Sequence, residues 1–104
     1  MDIWSLYIIR CGDNTLYTGI TTDPERRLAQ HRAGEGARYL RGRGPLTIIF
    51  QKQLADKSEA LRMERLVKRL PKHLKEALCA GNHAIFTHLL TTLRERQNEP
   101  GTDD

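Results

Sequence analysis

Tyr7, Tyr17, Arg27 and His31 are the residues of this chain best equipped for chemistry. They offer two phenols, a guanidinium and an imidazole within one short stretch of sequence. A hydrophobic core needs none of these groups in that order. Cleavage of a phosphodiester bond could use all of them, because it needs an oriented water and cations where negative charge develops. Farther along the chain Glu64 adds a carboxylate to a helical face that otherwise reads as apolar.

The elements that must position these groups are legible in the pattern. Residues 3–10 and 15–21 are rich in aromatic and β-branched side chains, and Gly12-Asp13-Asn14 between them is turn chemistry, so a β-hairpin is expected. Alternation along a strand puts Tyr17 and Gly19 on one face, with Thr18 and Ile20 on the other. Gly19 near the strand end implies that some group approaches the backbone closely. Cross-strand neighbours stand about 4.5–5.5 Å apart, so Tyr7 and Tyr17 can meet if the register permits, either as a plain aromatic pair or as part of a site.

Thr22 or Asp23 can cap a helix that Pro24 and Glu25 favour and Gly34 stops. Arg27 and His31, at i and i+4, share one face of it, as a solvated pair or as site residues. Residues 34–45 read as a loop with four glycines and three arginines, and residues 46–52 as a third strand. Asp56 with Glu59 forms a capping box opening a helix through Leu70. Its buried arc is read as Ala60, Leu61, Met63, Val67 and Leu70, with Glu64 inside that arc. A carboxylate there is paired, protonated or bound to a cation, and an i,i+4 pair with Lys68 is the plainer alternative. Helices over 72–80 and around Ile85, Phe86, Leu89, Leu90 and Leu93 follow. The order ββαβααα gives an α+β fold: a small three-stranded antiparallel sheet flanked by helices.

At 104 residues the chain is expected to form a single domain over 1–96, with a disordered acidic tail over 97–104. No apolar run approaches the ~20 residues a membrane-spanning helix needs, no signal-peptide layout is seen, and a cytoplasmic location is the expectation. Cys11 and Cys79 read as reduced thiols. Cys79, His83 and His88 lack the four-ligand set of structural zinc. The net charge is +4, and residues 26–43 hold six arginines against Glu35 alone. Such a block suits a polyanionic partner.

Leu6-Tyr7-Ile8, Tyr17-Thr18-Gly19, the run from Asp23 through Arg27 to His31, and Glu64 with Lys68 together resemble the GIY-YIG nuclease superfamily, in its small stand-alone bacterial form. Ser5-Leu6-Tyr7 keeps only the tyrosine of the first Gly-Ile-Tyr, and Tyr17-Thr18-Gly19 keeps the outer positions of the second triplet. The resemblance implies a metal-dependent endonuclease. In it Tyr17 orients or deprotonates the attacking water and Tyr7 helps to place it. Arg27 holds the scissile phosphate, His31 supports the site or relays a proton, and Glu64 binds one Mg²⁺ or Mn²⁺ ion. A phenol acts as a base only when cations lower its pKa, and Mg²⁺ is satisfied by one or two carboxylates and water.

The expected partner is nucleic acid, DNA before RNA, in repair or recombination. The contact residues are read as Arg26, Arg38, Tyr39, Arg41, Arg43 and Lys68, with Tyr39 stacking on a base. Two rivals share the fold: a binding module that does not cut, and an accessory protein that draws its specificity from a protein partner.

Overall fold

The computed structural model describes residues 2–97. Three strands, β1 (Ser5–Arg10), β2 (Leu16–Thr21) and β3 (Thr47–Gln53), form one antiparallel sheet in the order β2-β1-β3. Four helices accompany it: α1 (Pro24–Arg32), α2 (Lys57–Lys68), α3 (Lys72–Cys79) and α4 (His83–Gln97). The α+β class and the order ββαβααα are as expected. Residues 98–104 of the acidic tail lie outside the described residues.

Central β1 carries the uninterrupted run Leu6-Tyr7-Ile8-Ile9, each at most 2% exposed. A strand covered on both faces needs such a run, and both faces here are covered. Leu6 and Ile8 pack with Phe50, Ala60, Met63, Val67, Leu78 and Phe86, so α2, α3 and α4 cover one face. Tyr7, Ile9 and Cys11 face the other way, onto Leu40, Leu46, Leu28 and Tyr17, under α1 and the arginine loop. The tyrosines therefore belong to a separate, smaller cluster from the main core.

Asp23 caps α1 by accepting the Arg26 N–H at 3.1 Å, and Asp56 caps α2 by accepting that of Glu59 at 2.8 Å. Glu59 departs from a simple capping box. Its carboxylate accepts from the Ala55 N–H at 2.9 Å and from Arg94 of α4 at 2.8 and 3.1 Å. That contact holds the carboxyl below its usual range, the Arg94 hydrogen bond being the main cause, and ties α4 to the start of α2. One expectation fails: Leu61 is 43% exposed. Ala60, Met63 and Val67 set the buried face of α2, and a turn of about 100° per residue carries Leu61 off it.

The arginine loop has structure of its own. Arg38–Leu40 forms a 3₁₀ turn whose Leu40 is buried. The Gly12 N–H donates to the Arg43 carbonyl at 2.6 Å, and the Arg43 guanidinium reaches Asp13 at 2.6 Å. The loop is thereby fastened to the tip of the hairpin. No helix of the described residues is long and apolar enough to cross a membrane.

Candidate active site

In the hairpin register Tyr7 stands opposite Gly19, and Tyr17 opposite Ile9. The two tyrosines are diagonal neighbours on one face, with ring centroids 6.4 Å apart. Gly19 is what makes room: a Cβ there would lie 2.5 Å from the Tyr7 hydroxyl oxygen. The group expected to approach this glycine is the Tyr7 phenol itself. Gly19→Ala should destabilise the fold by about 1–3 kcal/mol, the range for overpacking a filled site, because Tyr7 is only 2% exposed and has nowhere to go. Chemical denaturation of the variant beside wild type checks this.

α1 brings His31 to the same cluster. Of the two residues read as a possible solvated pair, His31 is not solvated: it is 3% exposed and is the buried residue of its helix. Its Nε2 lies 2.9 Å from the Tyr7 hydroxyl, and its ring lies 5.7 Å from that of Tyr17. On its other side Nδ1 is 3.1 Å from the Ala37 backbone N–H, which can only donate. Nδ1 is therefore the bare nitrogen, and the neutral ring carries its proton on Nε2 and donates it to Tyr7. Burial first, and then the charge of Arg27, lowers the His31 pKa and keeps the ring neutral.

Gly36 completes this clamp, since a Cβ at that position would overlap His31 Nδ1. Sequence reasoning missed Gly36 and the Ala37 amide; the only signal was a second glycine two residues after the one that stops α1.

The sign of the pH dependence follows. An imidazole with a lowered folded pKa contributes stability that is present above the ordinary value of ~6.5 and is lost as pH falls through the folded value. Below pH ~6.5 the thermal midpoint of wild type should fall faster than that of His31→Gln. Equal slopes in the two proteins would mean that His31 is not held neutral.

Tyr7 is pushed up to about 12, chiefly by burial and then by Tyr17, against the opposing influence of Arg27. It is a neutral phenol that accepts the His31 proton and has its own hydrogen left to give. Glu64, through its negative charge, adds the last and smallest contribution to that rise. It comes from α2, which packs along the edge strand β2, and its side chain is 20% exposed. Its partner is Lys68 at 3.3 Å through Oε2. Among the described residues no three His, Cys, Asp or Glu side chains converge on a ready-made metal cluster.

Arg27 is half-buried, steadied by Gln30 at 3.0 Å. With Arg26, Trp4, Thr21 and Gln30 it lines a cavity of about 280 Å³.

Residues 3–77 match the sequence model described as "GIY-YIG catalytic domain". The chain belongs to the GIY-YIG family. Its relatives include a "UPF0213 protein" of Cronobacter sakazakii, 56% identical over 82% of this chain and 90% of that one. The "UPF0213 protein YhbQ" of Escherichia coli is 53% identical over 90% of this chain and 93% of that one. Among solved structures, a UPF0213 protein of Bacillus halodurans is 41% identical, with a TM-score of 0.50 over 79% of this chain and 86% of its own. A protein of E. faecalis is 34% identical, with a TM-score of 0.56 over 81% and 93%. The GIY-YIG family is a nuclease family, and this chain carries its catalytic domain over most of its length.

The residues expected to touch nucleic acid are unequally free. Tyr39 stacks on Tyr17 with centroids 5.9 Å apart, and the Arg43 guanidinium sits 4.2 Å from the Tyr39 ring centre. Tyr39 is thus held in place by contacts within the chain while it remains 46% exposed. Arg43 is committed to Asp13 and to the Tyr39 carbonyl, Arg41 to the Gly34 carbonyl, and Lys68 to Glu64. Arg26 and Arg38 are exposed, and their guanidinium groups have no partner among the described residues.

Proposed function

We propose that this chain is an endonuclease that hydrolyses phosphodiester bonds at the tyrosine cluster, with DNA as its first candidate substrate. The observation that carries the reading is the buried His31–Tyr7 hydrogen bond. A neutral imidazole, its tautomer held by a backbone amide, points its proton at a phenol whose own hydrogen is then directed elsewhere. A core aromatic pair has no use for that polarity, whereas a water or a phosphate oxygen does.

The roles follow from the chemistry of each group. Tyr17, half-buried beside the pair, orients the attacking water and relays its proton: as the water oxygen bonds to phosphorus, the phenol oxygen takes that proton and releases its own hydroxyl hydrogen to solvent. Tyr7, with its high pKa, is a poor base and acts as a hydrogen-bond donor to the same assembly. Arg27 offers a planar five-donor fork to the phosphate oxygens and stabilises the charge that builds there. The bond from phosphorus to the leaving sugar oxygen breaks, and that oxygen is protonated from solvent. Glu64 would hold a divalent ion in exchange for Lys68, its partner at 3.3 Å, since Mg²⁺ keeps several waters and takes one or two carboxylates together with substrate phosphate. Such an ion, when bound, neutralises charge on the phosphate.

The test is incubation of the pure protein with supercoiled, branched and single-stranded DNA and with RNA, with and without Mg²⁺ or Mn²⁺. Metal-dependent nicking or cutting is the expected result. Binding without cutting, on every substrate and with either metal, would turn the reading to a non-catalytic module. Cutting only after a protein partner is added would make the chain an accessory subunit.

A further inference from the structure

A second basic surface lies away from the tyrosines. Arg62 and Arg65 of α2, Arg69 just past its end and Arg96 of α4 line a groove of about 570 Å³ together with Leu66 and Leu93. Among the described residues no acidic side chain lines it, and all four arginines are exposed. None of their guanidinium groups has a hydrogen-bond or ion-pair partner among the described residues. Several arginines elsewhere are partnered, Arg10 on Glu76, Arg32 on the Leu46 carbonyl, Arg43 on Asp13 and Arg94 on Glu59, whereas Arg26 and Arg38 stand singly.

A structural role does not account for this grouping. Like charges three and four residues apart destabilise a helix by ~0.2–0.5 kcal/mol per pair, and Arg62, Arg65 and Arg69 have both spacings. The C-terminal end of the helix offsets part of that cost for Arg65 and Arg69, but no acidic partner does so among the described residues. The lining is instead suited to a row of phosphates, with arginine forks above and two leucines below to carry their aliphatic stems. From Arg62 to Arg69 the helix advances about 10 Å, close to three nucleotides of one strand at ~3.4 Å each. Glu64 occupies the opposite flank of the same helix, turned by well over 90° from this row.

We propose that this groove is a second phosphate-binding surface, which holds the nucleic acid beyond the segment seated at the tyrosines. This rests on the reading of the tyrosine cluster as a nucleic-acid site. A substrate that engages both surfaces bends or branches around α2, a helix about 10–12 Å across with its side chains.

The experiment compares wild type with two quadruple variants: Arg62, Arg65, Arg69 and Arg96 all changed to Ala, and the same four changed to Lys. Binding of a fluorescent 30-base-pair duplex and of a Y-shaped DNA is measured in chelator over a range of salt. The alanine variant should bind the Y-shaped DNA at least tenfold more weakly at ~0.1 M salt. Its slope of log affinity against log salt should be shallower by about 0.9 for each phosphate the arginines no longer neutralise, while the lysine variant keeps most of both. All three proteins should have thermal midpoints within several degrees of one another, since the relieved repulsion is only a few tenths of a kcal/mol per pair. Amide chemical shifts of labelled wild type should move over 62–69 and at Arg96 as DNA is added.

An alanine variant with unchanged affinity and slope, or a titration in which only the tyrosine face moves, overturns the proposal and hands the groove to some other anion, such as an acidic protein surface. Wild type that binds no nucleic acid overturns it as well. Binding through the groove by a protein that never cuts supports this surface and removes the hydrolytic reading. Cutting by a protein whose alanine variant binds normally does the reverse.

Discussion

Glu64→Gln should abolish metal-dependent cleavage, by about 10²–10³-fold or more, and leave the thermal midpoint equal to that of wild type or slightly higher. The expected loss is that of removing one electrostatic stabiliser of the transition state. The change keeps the volume and hydrogen-bonding capacity of the side chain and removes only its charge. In the fold that charge is met by Lys68 at 3.3 Å, itself about half exposed, a pair of the i,i+4 kind that contributes ~0.3–0.5 kcal/mol. Losing the pair therefore costs little, and releasing a partly desolvated carboxylate can offset it. Lys68→Ala is the control, because it breaks the same pair and keeps the carboxylate. It should leave cleavage within a few-fold of wild type. If Glu64→Gln retains full activity, or if Lys68→Ala is as damaging, Glu64 serves the helix and not the reaction.

Much of this was legible in the sequence because local chemistry and tertiary demand agree. Asp23-Pro24 and Asp56 state where helices begin, Gly12-Asp13-Asn14 states where the hairpin turns, and strand alternation puts Tyr17 with Gly19. What a strand or helix pattern could not state was which partner crosses from another element. His31 reads as exposed on a helix of weakly apolar character, and only the approach of β1 beneath it turns it into a buried partner of Tyr7. Glu59 reads as a cap, and only the packing of α4 adds Arg94 to it. The arginine loop reads as a set of free cations, yet Asp13 at the hairpin tip and the ring of Tyr39 take up Arg43. Arg62, Arg65 and Arg69 drew no reading from the sequence, because the groove exists only once α4 sets Leu93 and Arg96 beside them.

The two tyrosines should separate when each is changed to Phe, because their surroundings differ. Tyr7→Phe removes the acceptor of the buried Nε2–H of His31 and leaves that donor unsatisfied, a cost of about 1–3 kcal/mol. It should lower stability and cleavage together, and adding His31→Phe should not restore the midpoint, because losing Nδ1 strands the Ala37 N–H in its turn. Tyr17 has no such obligation. Its hydroxyl has no hydrogen-bond partner among the described residues, and its ring contacts with Tyr7, His31 and Tyr39 are those a phenylalanine would keep. Tyr17→Phe should therefore hold stability within about 0.5 kcal/mol of wild type, as for a change that strands no buried group. Its cleavage should fall by about 10²–10⁴-fold, the contribution of a positioned general acid or base. DNA affinity in chelator should be unchanged, since the phosphates are held by arginines. If Tyr17→Phe cuts at the wild-type rate, the proton of the attacking water goes elsewhere, and Tyr17 is only a wall of the aromatic cluster.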